Sequence, residues 1–134
     1  MEGYNKIDYN EIFKLRPRKN ASNKHEVIKL EIVLKLIDKY KKNLFWTRVY
    51  TEYPIRNTKG ETKIVDVYFQ NLKSKEIICY EVQNKVNDKY VKETNEFYIN
   101  CEDLFFKTDW VLVKENELSD DLNLLEEEVK ELII

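Results

Sequence analysis

Two carboxylates interrupt otherwise apolar runs near the middle of the chain. Asp66 is the only acid in KIVDVYF (63–69), and Glu81 is the only charge inside IICYEV (77–82), fifteen residues on. Both runs are rich in β-branched and aromatic residues and read as strands. Side chains alternate across a strand, so Ile64, Asp66 and Tyr68 share one face, and Ile77, Cys79, Glu81, Gln83 and Lys85 share one face of the next. In a hairpin the two sets lie side by side. Burying an ionised carboxylate is costly unless it is paired or holds a cation. One solution is pairing with nearby lysines at a strand end. The other is a divalent cation, Mg²⁺ or Mn²⁺, which accepts one or two carboxylates plus carbonyl and water oxygens. A carboxylate pair with an adjacent amide (Gln83) and amine (Lys85) is also an arrangement for metal-assisted phosphodiester hydrolysis.

The elements that must position these residues follow from periodicity. From His25 to about Lys42, Val27, Leu30, Val33, Leu34, Ile37 and Tyr40 recur at helical steps, with Ser22 or Asn23 as cap. FWTRVYTEYPI (45–55) reads as a strand, and NTKGET (57–62) as the hairpin turn leading into KIVDVYF. After EIICYEV, Asn87 caps a helix carrying Tyr90, Val91, Thr94, Phe97, Tyr98 and Cys101. DWVLV (109–113) is a fourth strand, and Ser119 caps a last helix with Leu122, Leu125, Val129 and Leu132 on one face. Strands apolar on both faces call for helices on both sides. The expected order is α-β-β-β-α-β-α, an α/β fold with a central mixed four-stranded sheet. Residues 1–24 form an arm, 25–114 the core and 115–134 an acidic C-terminal helix of a single domain. The aromatics Trp46, Tyr50, Tyr90, Phe97 and Tyr98 fit core positions.

Composition bounds the class. A chain of 134 residues, 43% hydrophobic and 36% charged, suits one folded core. No run of roughly 18 apolar residues marks a membrane span, and MEGYNKIDYNE lacks a secretory pattern, so a cytoplasmic protein with no membrane partner is expected. Cys79 and Cys101 are read as reduced, buried thiols. Charge is uneven: residues 1–100 hold 20 Lys/Arg against 14 Asp/Glu, and residues 101–134 hold 3 against 11. A basic body is compatible with a polyanionic partner, and equally with an ordinary solvated surface. There is no Gly-rich phosphate loop, no Cys/His zinc spacing and no GxSxG stretch.

Asp66, then Glu81-Val82-Gln83 at the end of a central strand, resembles the motif of the PD-(D/E)XK nuclease superfamily, Asp followed by (Asp/Glu)-x-Lys. Val65 stands where that family has Pro, and Gln83 where it has Lys, a variant some members carry. HEVIK (25–29) and EVQNKVNDKYVKETNEFY (81–98) are similar to the CoiA-like branch. The resemblance covers roughly residues 25–114. It implies a restriction-endonuclease-like core and a Mg²⁺- or Mn²⁺-dependent endonuclease acting on DNA. Asp66, Glu81 and the Val82 carbonyl would hold the metal, and Glu26 of the first helix would assist through water. Gln83 and Lys85 would position the attacking water and the phosphate. His25, Lys29, Lys89 and Lys92, with Arg16, Arg18 and Lys19 of the arm, would track the nucleic-acid backbone. A homodimer, as in junction-cutting relatives, and a catalytically inactive module that binds nucleic acid or protein are the other readings.

Overall fold

The computed structural model describes residues 7–101 and 106–133. Tyr4 and the first residues of the expected arm lie outside them. Around one open sheet, in order β1-β2-β3-β4-β5, the chain folds as α1 (Tyr9–Ile12), β1 (Phe13–Lys14), α2 (Asn23–Tyr40), β2 (Thr47–Arg56), β3 (Thr62–Asn71), β4 (Glu76–Gln83), α3 (Asp88–Ile99), β5 (Lys107–Lys114) and α4 (Leu122–Leu132). β2, β3 and β4 form an antiparallel meander, β5 returns parallel to β4 through α3, and β1 lies parallel to β2. The α/β class and the helix–meander–helix–strand order match the reading of the sequence. The sheet, however, has five strands: part of the expected arm is β1, two residues too short to leave a periodic signal.

Local chemistry explains the element ends. Ser22 Oγ accepts the His25 N–H at 3.0 Å and caps α2. The β2–β3 turn is tied by the Asn57 side-chain oxygen, which accepts from Lys59 and Glu61, and Gly60 supplies the left-handed backbone with φ +81°. Asn87 caps α3. Asp121 rather than Ser119 caps α4; Ser119 Oγ instead accepts the N–H of Asp121.

Two apolar clusters sandwich the sheet. On one side α2 and α4 pack Ile28, Ile32, Leu36, Leu125 and Val129 onto Val49, Val67, Val82 and Val113. On the other, Phe97 and Tyr98 of α3 cover Tyr50, Tyr68 and Cys79. The buried side of α2 is His25, Ile28, Lys29, Ile32, Val33 and Leu36, leaving Leu30 and Leu34 exposed. The expected face was therefore rotated. Apolar residues recur on more than one side of the helix, and the side that docks also carries a buried lysine. Trp46 is exposed, not core, and so is Leu122 of α4, while Tyr50, Phe97 and Tyr98 are buried as expected. Both cysteines are free. Among the described residues no helix is long and apolar enough to cross a membrane.

Candidate active site

The strand register brings three carboxylates into one row. Thr51 pairs with Val67 and Tyr53 with Val65, which sets Glu52 opposite Asp66. Val67 pairs with Tyr80, so one step further Asp66 stands opposite Glu81. There the β3–β4 ladder ends, while β2–β3 pairing runs on to Arg56 and Thr62 and β4–β5 pairing to Gln83 and Lys114. The sheet forks at Asp66 and Glu81. In the middle of β2, Glu52 adopts a left-handed backbone with φ +50°, a conformation costly for a residue with a Cβ. Tyr50 and Tyr53, three residues apart, consequently both reach the α3 side.

Each carboxylate has its own surroundings. Asp66, 3% exposed, accepts the Val82 N–H at 2.7 Å on Oδ2. Its Oδ1 lies 3.2 Å from His25 Nε2 and 3.7 Å from Arg18 Nη1. Glu81, 1% exposed, has Oε2 at 3.0 Å from the Lys63 ammonium, and Oε1 buried with no hydrogen-bond partner among the described residues. Burial pushes the Glu81 carboxyl up to about 7; Lys63 opposes the shift and the Asp66 charge adds to it. Glu52 is also raised, first by burial and further by Asp66, against the opposing pull of Lys29.

Behind Asp66, the start of α2 supplies a second layer. His25 is held above its ordinary value of 6.5 by Asp66, against the opposing effect of burial. Its Nδ1 lies 3.7 Å from Glu26 Oε2, so the ring stands between two carboxylates. The buried Lys29 ammonium sits 2.9 Å from Glu26 and 3.2 Å from Glu52, and donates to the Arg16 carbonyl at 3.3 Å. Burial alone would raise Glu26, but Lys29 and the Arg18 N–H, both donating to it, hold it below its ordinary value. This network fastens the arm across α2 and β2, where Thr51 Oγ1 also donates to the Arg16 carbonyl.

The residues singled out in the sequence are thus distributed unevenly. Asp66, Glu81 and Val82 come together in the fork, and Gln83 ends β4 at its rim. Lys85 does not join them, because β4 stops at Gln83 and Lys85 lies exposed in the bend beyond. The amine that reaches Glu81 is that of Lys63. Glu26 faces His25 and Lys29 rather than the Asp66–Glu81 pair. Lys29, 2% exposed, is committed inside the protein and His25 is 6% exposed, which removes both as surface contacts for a nucleic-acid backbone. Arg16, Arg18 and Lys19 of the arm are exposed, as are Lys89 and Lys92 on α3.

Three neighbours were missed by the sequence reading. Glu52 was legible in principle, since a hairpin centred on the Asn57–Glu61 turn sets it across from Asp66. Lys63 was hidden because it lies three residues from Asp66 and therefore on the opposite face of a regular strand. Tyr90 was assigned to the core; its ring lies 5.6 Å from the Lys63 ammonium, and burial, with Glu81 adding, pushes its hydroxyl up to about 12. It stays protonated beside Glu81 at neutral pH.

Fold and site define an α/β protein with an open mixed sheet that buries a carboxylate pair where the sheet splits. No family model matches the chain, and no curated protein or solved structure matches it. Among the described residues, no group of three or more His, Cys, Asp or Glu side chains is disposed to hold a metal ion. The Asp66–Glu81 pair nevertheless has donors that suit Mg²⁺ or Mn²⁺: two hard carboxylates on adjacent strands, one with a buried oxygen that has no hydrogen-bond partner among the described residues.

Proposed function

We propose that this protein is a metal-dependent endonuclease of the PD-(D/E)XK type that hydrolyses DNA phosphodiester bonds. The observation that carries the reading is Glu81 Oε1, a buried carboxylate oxygen without a hydrogen-bond partner among the described residues, in the fork beside Asp66. A buried oxygen of this kind is destabilising, and a cation in the fork would relieve it. Asp66 and Glu81 would hold the cation. When bound, it supplies neutralisation of phosphate charge and a more acidic water.

The chain's own residues do the rest. Lys63 favours the ionised form of Glu81 and presents an ammonium to the phosphate, the task first assigned to Lys85. Gln83 at the rim orients the attacking water through its amide. Arg18 and His25 hold Asp66 in place, and the Val82 N–H fixes its second oxygen. The arm and α3 offer exposed cations to the DNA backbone. Purified protein should nick or linearise plasmid DNA with Mg²⁺ or Mn²⁺, and Asp66→Ala and Glu81→Ala should each abolish cutting. Cleavage that persists in either variant sinks the proposal.

A second reading has one observation in its favour: both oxygens of Asp66 are already engaged by Val82, His25 and Arg18. A nuclease-like module that binds nucleic acid without cutting would keep those contacts. It would bind DNA equally with and without Mg²⁺ and leave plasmid intact.

A further inference from the structure

α3 runs back along β4, because β5 returns parallel to that strand. The two elements have matching repeats: four helix residues advance about 6 Å, and two strand residues about 6.6 Å. Tyr90, Thr94 and Tyr98, one turn apart on α3, therefore fall in step with Gln83, Glu81 and Cys79 on the facing side of β4. The Tyr98 hydroxyl lies against the Cys79 thiol, and the Tyr90 hydroxyl against the Gln83 and Thr94 side chains, with the Glu81 charge close by. A row of hydroxyls thus faces the polar side of the strand that carries the site. Tyr90 is its member at the rim. The Tyr90 ring lies beside Lys63, the cation paired with Glu81, and its Oη is buried without an aligned hydrogen bond among the described residues. A buried hydroxyl in that state calls for a partner. Thr94 brings its own proton and can donate to Oη; the Tyr90 proton then needs an acceptor, and Gln83 offers an amide oxygen.

We propose that Tyr90 is a positioning residue: its hydroxyl donates to the Gln83 amide oxygen and so turns the amide N–H groups toward the fork. What the turned amide then does rests on the nuclease reading. A glutamine side chain has an accepting end and a donating end, whereas the lysine of the motif that this strand resembles only donates. Held by Tyr90, Gln83 presents donors alone to the phosphate and the attacking water. Tyr90 supplies an orientation that an ammonium in the same place does not need.

The contact is read by NMR relaxation on the metal-free full chain, labelled with ¹⁵N on its glutamine side chains. Only Gln70 and Gln83 contribute, and Gln83→Lys assigns the two signals by removing one. Tyr90→Phe keeps the ring beside Lys63 and removes only the hydroxyl. The Gln83 amide should be ordered in the wild type, with an order parameter of about 0.8, and should fall below about 0.6 in Tyr90→Phe. Plasmid cleavage reads the consequence. Tyr90→Phe should lower kcat about tenfold with KM changed less than about twofold, and the same change made in the Gln83→Lys background should cost less than about twofold in kcat. Equal losses in the two backgrounds, or a Gln83 amide equally ordered with and without the hydroxyl, overturn the proposal. Plasmid left intact by the wild type overturns the nuclease reading, and the amide measurement then decides by itself whether Tyr90 holds Gln83.

Discussion

Replacing Glu81 by Gln should stabilise the protein at pH 8 while removing its function. The Glu81 side chain is 2% exposed, and its carboxyl is raised from an ordinary 4.5 to about 7, chiefly by burial. A group raised on folding contributes stability that is fully present below 4.5 and is lost as pH climbs through about 7. At about 1.4 kcal/mol per pH unit, carrying the ionised form at pH 8 costs roughly 3 kcal/mol. The neutral, near-isosteric Gln escapes that cost. Thermal unfolding followed by circular dichroism, in EDTA, should show the variant melting about 10 °C above the wild type at pH 8. Near pH 4.5 the two should melt within about 2 °C of each other. In the wild type alone, Mn²⁺ at pH 8 should recover much of the difference, since a ligand that binds only the folded state stabilises it. A Gln variant less stable than wild type at pH 8, or a difference that does not change with pH, refutes the account of Glu81 as a buried charge that Lys63 only partly compensates.

Lys29→Met strands Glu26 and Glu52 around an apolar side chain, at a site where Lys29 is only 2% exposed. Urea unfolding should show a loss of about 3 kcal/mol, and a loss below about 1 kcal/mol contradicts the buried pairing. His25 should titrate with an NMR midpoint above 6.5, because Asp66 outweighs burial. Its contribution to stability is then present below 6.5 and lost as pH rises through the folded midpoint, and a midpoint below 6.5 contradicts the Asp66 contact. Lys63→Ala removes the only cation paired with Glu81 among the described residues. The rising limb of the pH–rate profile for DNA cleavage should move to higher pH, and an unmoved limb denies Lys63 its role.

Much of the scaffold was legible because long periodic segments have one physical solution. The meander and the two flanking helices followed from alternation and from Ser22 and Asn87 as caps. Asp66 and Glu81 stood out because an acid inside an apolar run must be accounted for. Other features escaped for reasons equally physical. Phe13–Lys14 is too short to carry a period, and only tertiary pairing with Val49 and Tyr50 makes it a strand. The docking face of α2 was ambiguous, since Leu30 and Leu34 compete with Ile28 and Ile32, and the face that is buried also carries the ion-paired Lys29. Lys85 was extrapolated along a strand that ends two residues earlier. Glu52 and Lys63 became neighbours of the site only through the hairpin register and the fork, which no single segment encodes.

The central claim is that Asp66 and Glu81 form a cation seat, and calorimetric titration of Mn²⁺ at pH 8 tests it most directly. The wild type should take up Mn²⁺ at one saturable site, and Asp66→Asn and Glu81→Gln should each lose that uptake. Equal uptake by all three proteins, or none by the wild type, contradicts the claim.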